Sequence, residues 1–347
     1  MDPKHILVIR ISAMGDVAMT IPVLQQLLQQ YPGLRITVVT DEYLSPFFEN
    51  MERVSLAPLQ LKGKHKGLPG LYRFYRQLKK HEDIDAVADL HDSLRSKILR
   101  TFFRLRRVPV AIIDKGRQEK KLLTRKKHKH LSQLKTNFQR YADVFTELGR
   151  PFELNPISHV LSKRPLPAKA EVMFTAGKKH IGIAPFAKHQ EKTYPPEKMK
   201  KVVKDLVIHH NLQVFLLGNE TNEAAELSLW QTAFPGVINL AGQFNFSEQL
   251  ALVSNMDAVI SMDSANMHIA SLFGVPVISI WGATHPYAGF HGWGQSENNV
   301  VQIDLYCRPC SVFGNKPCYR GDHACMERIR AESVLERVHS LIKVITA

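Results

Sequence analysis

No stretch of this 347-residue chain approaches the roughly 18 uninterrupted apolar residues that a bilayer-spanning helix needs, so a helical membrane span is not expected. Behind Met1-Asp2-Pro3-Lys4-His5 the first apolar run, Ile6 to Ile11, is too short and too soon interrupted for a secretory signal, and the expected location is the cytoplasm. The chain has no G-x-x-x-x-G-K-[ST], no G-x-G-x-x-G and no H-E-x-x-H, which removes support for a P-loop, an ordinary dinucleotide site or a zincin. Asp83-Ile84-Asp85 resembles a metal-binding D-x-D, but it opens a strand instead of ending one and reads as polar edge decoration. Cysteine is scarce. Cys307, Cys310, Cys318 and Cys325 crowd into one short segment with a leading C-x-x-C, which in a cytosolic protein suggests a structural Zn²⁺ site more than disulfides, with free thiols as the alternative.

What the chain does have is length, apolar content and positive charge. At 44% apolar it can bury two cores of ordinary size, so two domains are expected. The net charge of +14 is uneven along the sequence: residues 1–150 hold 28 Lys and Arg against 15 Asp and Glu, and the remainder 18 against 17. That asymmetry points to an acidic partner on the first half, either nucleic acid, an anionic lipid headgroup or a phosphorylated sugar, or else to a generally basic protein. The basic runs lack the interleaved aromatics of a base-stacking surface, so no nucleic acid is expected, and an RNA-binding protein stays as the non-enzyme alternative.

Short β-branched runs alternate with amphipathic stretches. Strands are expected at Ile6 to Ile11, Ile36 to Thr40 and Ala86 to Leu90, with helices at Leu24 to Tyr31 and near Tyr72 to His81. Four prolines between Pro151 and Gly177 mark a linker, after which the pattern restarts. Strands then fall at His180 to Ala184, Gln213 to Leu217, Val237 to Leu240, Ala258 to Ser261 and Val277 to Ile280, with helices at Pro196 to His209, Asn222 to Thr232, Ser247 to Ser254 and Ala331 to Ile345. The expected fold is α/β, two Rossmann-like parallel-sheet domains facing a central cleft, with ligands beyond the carboxyl ends of the strands.

Four strand ends carry chemistry. Asp263-Ser264-Ala265 follows an apolar strand and starts a helix, where free amides and the positive dipole accept an anion such as a phosphate; the plainer reading makes Asp263 a helix cap and His268 a half-buried side chain. Gly15-Asp16 follows the first strand. Gly15 permits a tight turn or close approach of a ligand, and Asp16 is either a general base on a hydroxyl or the cap of the helix holding Pro22. Lys188 and Lys192, four apart before a Pro-led helix, are either solvated loop lysines or neutralisers of a departing diphosphate, and Glu220, with Glu223 as rival, suits ribose hydroxyls. Lys62, Lys64 and Lys66 form one basic loop, and Lys115 to Lys129, including Arg117, carries eight cations against the lone Glu119; His91 and Arg95 close a strand nearby in sequence.

Gly15-Asp16, Lys192 ahead of Tyr194-Pro195, Leu240-Ala241-Gly242, Asp263-Ser264-Ala265 with His268, and Phe273-Gly274-Val275-Pro276 followed by Trp281-Gly282 together resemble glycosyltransferase family 9, the ADP-heptose:lipopolysaccharide heptosyltransferases. The resemblance runs in order over nearly the whole chain. It implies a GT-B fold and metal-independent, inverting transfer of heptose from ADP-heptose to the anionic inner core of lipopolysaccharide. It also implies work at the cytoplasmic face of the inner membrane and no cofactor for catalysis, any zinc being structural. Asp16 is then the base. Gly15, Lys188, Lys192, Glu220, Gly242, Asp263, Ser264, Ala265 and His268 serve the donor, and Lys62, Lys64, Lys66, His91, Arg95 and Arg117 the acceptor. Residues 1–165 form the acceptor domain and 166–347 the nucleotide-sugar domain, with the last helix packing back on the first. Pro185, Phe186, Ala187 and Lys188 stand where relatives that add the first heptose often carry hydroxyl residues. Transfer of another sugar such as N-acetylglucosamine, and a GT-B-like sugar-nucleotide epimerase, therefore remain alternatives.

Overall fold

The computed structural model describes residues 3–81, 83–156, 160–209 and 212–346. They divide into two compact units, one of Met1–Gly116 with Lys135–Pro156, the other of Arg117–Leu134 with Ile157–Ala347.

In the first unit the run His-Ile-Leu-Val-Ile has no polar alternation, as expected of a strand covered on both faces, and forms β1 (His5–Ile9), buried throughout. Around it β2 (Arg35–Asp41), β3 (Val54–Leu59), β4 (Ala86–Asp89) and β5 (Val110–Ile112) make a parallel sheet in the order β3-β2-β1-β4-β5. Pro58 fits β3 because an edge strand need not donate on its outer side. Asp85 accepts the amide hydrogens of Lys4 and His5 at 2.8 and 2.9 Å, so the D-x-D look-alike ties β4's entry to β1's. The helices are α1 (Met14–Ala18), α2 (Thr20–Gln30), α3 (Gly67–His81), α4 (Leu94–Arg104) and α5 (Asn137–Glu147). Asp16 lies inside α1, and Pro22 belongs to the separate α2, so Asp16 does not cap Pro22's helix.

The second unit repeats the plan. β6 (Lys179–Ala184), β7 (Leu212–Leu216), β8 (Val237–Asn239), β9 (Ala258–Met262), β10 (Val277–Ile280) and β11 (Val300–Val301) run in parallel, in the order β11-β10-β9-β6-β7-β8. Its main helices are α6 (Pro196–Ile208), α7 (Asn222–Ala233), α8 (Phe246–Ser254), α9 (Ala265–Leu272) and α10 (Ala331–Thr346). The expectation that the last helix returns to the first domain is corrected. Val334, Val338 and Ile342, spaced by four, join the core that holds Val202 and Leu206 of α6, and α10 packs on α6 and β10.

A second correction concerns residues 117–134, read from sequence as part of the first domain. Leu134 donates its amide to the Tyr287 carbonyl at 2.9 Å, and Lys129 donates to the carbonyls of Cys307 and Pro309 at 2.7 Å each. The ammonium groups of Lys120 and Lys126 lie over the rings of Phe290 and Tyr319. These contacts place the segment in the second unit and erase the charge asymmetry. The first unit holds 21 Lys and Arg against 15 Asp and Glu, the second 25 against 17.

Strand order reverses between β1 and β4 in one sheet and between β6 and β9 in the other. Open parallel sheets leave a crevice at the carboxyl ends of such a pair, because the following loops diverge to opposite sides. Leu206 is fully buried between α6 and the second sheet's core. Leu206→Ala is expected to destabilise the second unit by about 2–5 kcal/mol, read from the shift of its urea transition.

Candidate active site

The first crevice is built around a guanidinium. Arg10 follows β1 directly and is 7% exposed. It donates to the Leu90 carbonyl beyond β4 at 2.7 Å, meets Asp16 Oδ2 at 2.6 Å and lies over the Tyr141 ring. Burial works against its charge, and Tyr141, Asp16 and Asp89 outweigh burial, so the group is held firmly cationic. Asp16 is partly accessible, its side chain 27% exposed. Tyr141 donates its hydroxyl to the Asp16 carbonyl at 3.3 Å, and burial pushes its phenol up, so the hydroxyl stays protonated.

The loop after β4 is fixed as firmly. Asp89, fully buried, accepts the amides of His91 and Asp92 at 2.9 and 2.8 Å and pairs with Arg100. His91 Nδ1 accepts the Ile11 amide at 3.2 Å. Burial, then Arg10 and Lys115, push His91 down to about 4. It is therefore neutral at physiological pH, with its remaining hydrogen on Nε2, and does not grip an anion as a cation. His91 lies two residues beyond the end of β4, and Arg95 is exposed in the first turn of α4, so neither ends a strand. Lys62, Lys64 and Lys66 are exposed on the loop after β3, along the same carboxyl edge of the sheet as Asp16 and His91. Arg117 belongs to the second unit. Gly15 sits within α1 and is not among the left-handed residues, so a tight turn is not the reason for glycine there.

The second crevice brings two of the expected donor residues together across 71 positions. Lys192, in the 3-10 turn Gln190–Lys192 after β6, meets Asp263 Oδ2 after β9 at 3.3 Å. Their side chains are 13% and 9% exposed. Asp263 is not the cap of α9. Ser264 occupies that position, without a side-chain hydrogen bond to the helix, and its hydroxyl pairs with Ser261 Oγ at 2.9 Å. The first turn of α9 thus has no side-chain acceptor, and Ser264 and Ala265 are half-buried at its mouth.

Gly242, at φ +71, approaches Glu220 so closely that an added Cβ would stand 3.0 Å from the Glu220 Cα. Glu220 is exposed, whereas Glu223 accepts the Asn219 amide at 2.9 Å, which favours Glu220 over its rival as the group open to a ligand. Lys188 is exposed on the loop after β6. His268 is buried, 6% exposed, in the second turn of α9, deeper than a ligand-facing histidine was expected to lie.

The four cysteines expected from sequence to hold a structural Zn²⁺ lie in one segment of the second unit. The four cysteines are free and near enough for their charges to interact, yet among the described residues no three of their sulfurs lie within 4.8 Å of one another. A tetrahedral thiolate site with Zn–S near 2.3 Å needs them closer than about 4 Å. Among the described residues, the grouping whose ligand atoms all lie within 4.8 Å of one another is Asp205 of α6, His209 directly after it and His339 of α10, with side chains nearly half exposed. Sequence reasoning passed over Arg10, although its place directly after the first strand was a signal. It also passed over His285, in the loop after β10, whose Nδ1 accepts the Tyr287 amide and which burial and Arg308 push down to about 4.

The profile of glycosyltransferase family 9 (heptosyltransferase) matches residues 71–317. The lipopolysaccharide core heptosyltransferase OpsX of Haemophilus influenzae is 24% identical over 289 residues, covering 82% of this chain and 80% of that protein. The fold is similar to that of the glycosyl transferase family 9 protein from Veillonella parvula (TM-score 0.77, 19% identity, 97% and 96% of the two chains). It is also similar to Escherichia coli heptosyltransferase WaaC with ADP-2-deoxy-2-fluoro heptose (TM-score 0.68, 18% identity, 97% and 99%).

His91 and His285, both held near 4, give stability that is complete above the unfolded-state value of about 6.5 and lost as pH falls toward 4. Nitrogen-detected NMR at pH 6 should show both rings neutral, and His91→Gln should flatten the decline in stability between pH 6.5 and 4.

Proposed function

The chain is a member of glycosyltransferase family 9, and from that premise we propose that it transfers heptose from ADP-heptose to a hydroxyl of the anionic lipopolysaccharide inner core, with inversion and without a metal or cofactor in the chemical step. The observation that carries this reading is the Lys192–Asp263 pair beside the start of α9, where no side chain caps the helix, at the β6/β9 reversal. A cation, free amides and a helix dipole converge there on a seat for diphosphate. The relative OpsX is named a lipopolysaccharide core heptosyltransferase, and WaaC was solved with an ADP-heptose analogue, which supports the donor and the acceptor.

In this reading the donor's diphosphate takes Lys192 from Asp263 and lies on the amides of Ser264 and Ala265. Asp263, released, accepts hydrogen bonds from sugar hydroxyls. Glu220 takes the ribose beside Gly242. The acceptor hydroxyl gives its proton to Asp16 while its oxygen attacks the anomeric carbon on the face opposite ADP. The bond from that carbon to the phosphate oxygen breaks, and the charge left on ADP meets Lys192. Asp16 suits the task because Arg10 engages Oδ2 and leaves Oδ1 for the hydroxyl. Lys62, Lys64, Lys66 and Arg95, exposed along the same edge, would hold the acidic groups of the acceptor, and a lipid-anchored acceptor brings the enzyme to the cytoplasmic face of the inner membrane.

Asp16→Asn is expected to lower kcat at least about 100-fold with the calorimetric Kd for ADP-heptose nearly unchanged; a variant keeping more than about a tenth of the rate removes Asp16 from this role. Lys192→Ala should instead weaken donor binding, and ADP should bind more tightly than UDP or GDP. Isomerisation of the donor without acceptor would turn the assignment toward an epimerase.

A further inference from the structure

From Lys62 to Lys80 the chain carries seven Lys and Arg and no Asp or Glu, and from Leu94 to Arg107 six more, again with no acid. These stretches supply α3 and α4, which pack on each other. Only Arg100 among the thirteen is buried, against Asp89 and Asp92, and Lys97 reaches Asp92 at 3.8 Å. The other eleven are exposed.

The same helix pair exposes apolar side chains at the margin of its core, where Ile98 and Phe102 pack partly against the core and Leu94 and Leu105 stand in water. Leu71, Phe74, Tyr75 and Leu78 of α3 and Leu99 and Phe103 of α4 already face the first unit's core. On another side of α4, Leu94, Ile98, Phe102 and Leu105 recur at i, i+4, i+8 and i+11, one stripe along the helix. Leu94 and Leu105 are each 75% exposed, and Ile98 and Phe102 half-buried. Across the helix pair the Tyr72 ring meets the Phe102 ring edge-on at 5.4 Å, and Leu68 lies one turn before Tyr72, so the stripe continues onto α3. The result is an apolar strip, in water, rimmed by arginine and lysine.

We infer that this α3–α4 face docks the protein on an anionic bilayer surface, the leucines and Tyr72 entering the headgroup boundary while the basic rim meets lipid phosphates. An apolar strip within an acid-free basic face is the pattern of interfacial helices, whose binding combines shallow apolar insertion with attraction to anionic headgroups. Nucleic acid fits less well, because the exposed apolar groups are mainly aliphatic, Tyr72 being the one exposed ring of the strip. The surface gains its purpose from the reading that the acceptor is lipid-borne, but its binding can be measured without donor or acceptor, so failure of one is distinguishable from failure of the other.

Co-sedimentation of the full chain with vesicles tests it. With about 30% phosphatidylglycerol, binding should be at least about tenfold stronger than to pure phosphatidylcholine and should weaken as salt rises. Leu94→Gln/Leu105→Gln and, separately, Arg104→Gln/Arg106→Gln/Arg107→Gln should each reduce vesicle binding at least about fivefold, with the thermal midpoint unchanged because all five side chains are exposed. Equal binding to both vesicle types, wild-type binding by both variants, or stronger binding to a single-stranded RNA than to vesicles at equal phosphate concentration would overturn it.

Discussion

A guanidinium that cannot give up its proton fixes where the first unit's carboxylate stands. Arg10 is nearly buried, and an isolated charge in such a place is costly, so every partner it has is structurally required. One donor goes to the Leu90 carbonyl beyond β4, another to Asp16 in α1, and the ring of Tyr141 in α5 supplies a face. Three elements that diverge from the sheet are thereby tied to the end of β1. Removing one member of a buried ion pair costs about 3–5 kcal/mol because the other charge is stranded. Asp16, at 27% exposed, is less isolated than that limit, and water relieves part of it. The pairing therefore does more to aim the carboxylate than to stabilise the fold.

The second unit holds the opposite arrangement, a pair that must separate. Lys192 and Asp263 are 3.3 Å apart with little exposure, so neither is left uncompensated without ligand. In the proposed reading a diphosphate brings more negative charge than one carboxylate and accepts from the α9 amides as well, so it would outcompete Asp263 for the lysine. Releasing Asp263 costs free energy unless sugar hydroxyls reach it at the same time. In the proposed reading a bare nucleotide diphosphate therefore gains less than a complete sugar nucleotide, which would favour the full donor over the leaving group.

The strands were largely legible from the sequence because parallel strands covered on both faces read as apolar runs, and β1, β4, β9 and β10 fall within two residues of expectation. β3 was not legible. It is an edge strand carrying Pro58, and its mixed burial gives no clean run. The short β5 was missed for want of length. Individual site residues could be named from their places after strands, but the pairing of Lys192 with Asp263 could not, since it depends on β6 and β9 being neighbours although β7 and β8 lie between them in sequence. The charge argument failed for the same reason. Counting along the chain gave a basic first half, while the fold carries residues 117–134 and their seven cations into the second unit.

The cysteine segment has a role in holding Lys192. Arg308 donates to the carbonyls of Gly282 and Thr284 beyond β10, and Lys129 to those of Cys307 and Pro309, so two cations secure the loop through backbone oxygens. Ser311 accepts the Gly314 amide at 2.9 Å and shapes the turn, in which Gly314 takes φ +72. An added Cβ there would stand 2.3 Å from the Lys192 Cγ, so the bare glycine lies directly against the lysine stem. A flexible four-carbon chain would otherwise sample many rotamers. Packed between the turn and Asp263, it presents its ammonium beside the start of α9. Burial, reinforced by the neighbouring thiols, raises Cys310 and pushes Cys325 up to about 11, which keeps both protonated and poorly nucleophilic at neutral pH. The geometry of the loop is held by the arginine, the lysine and one glycine.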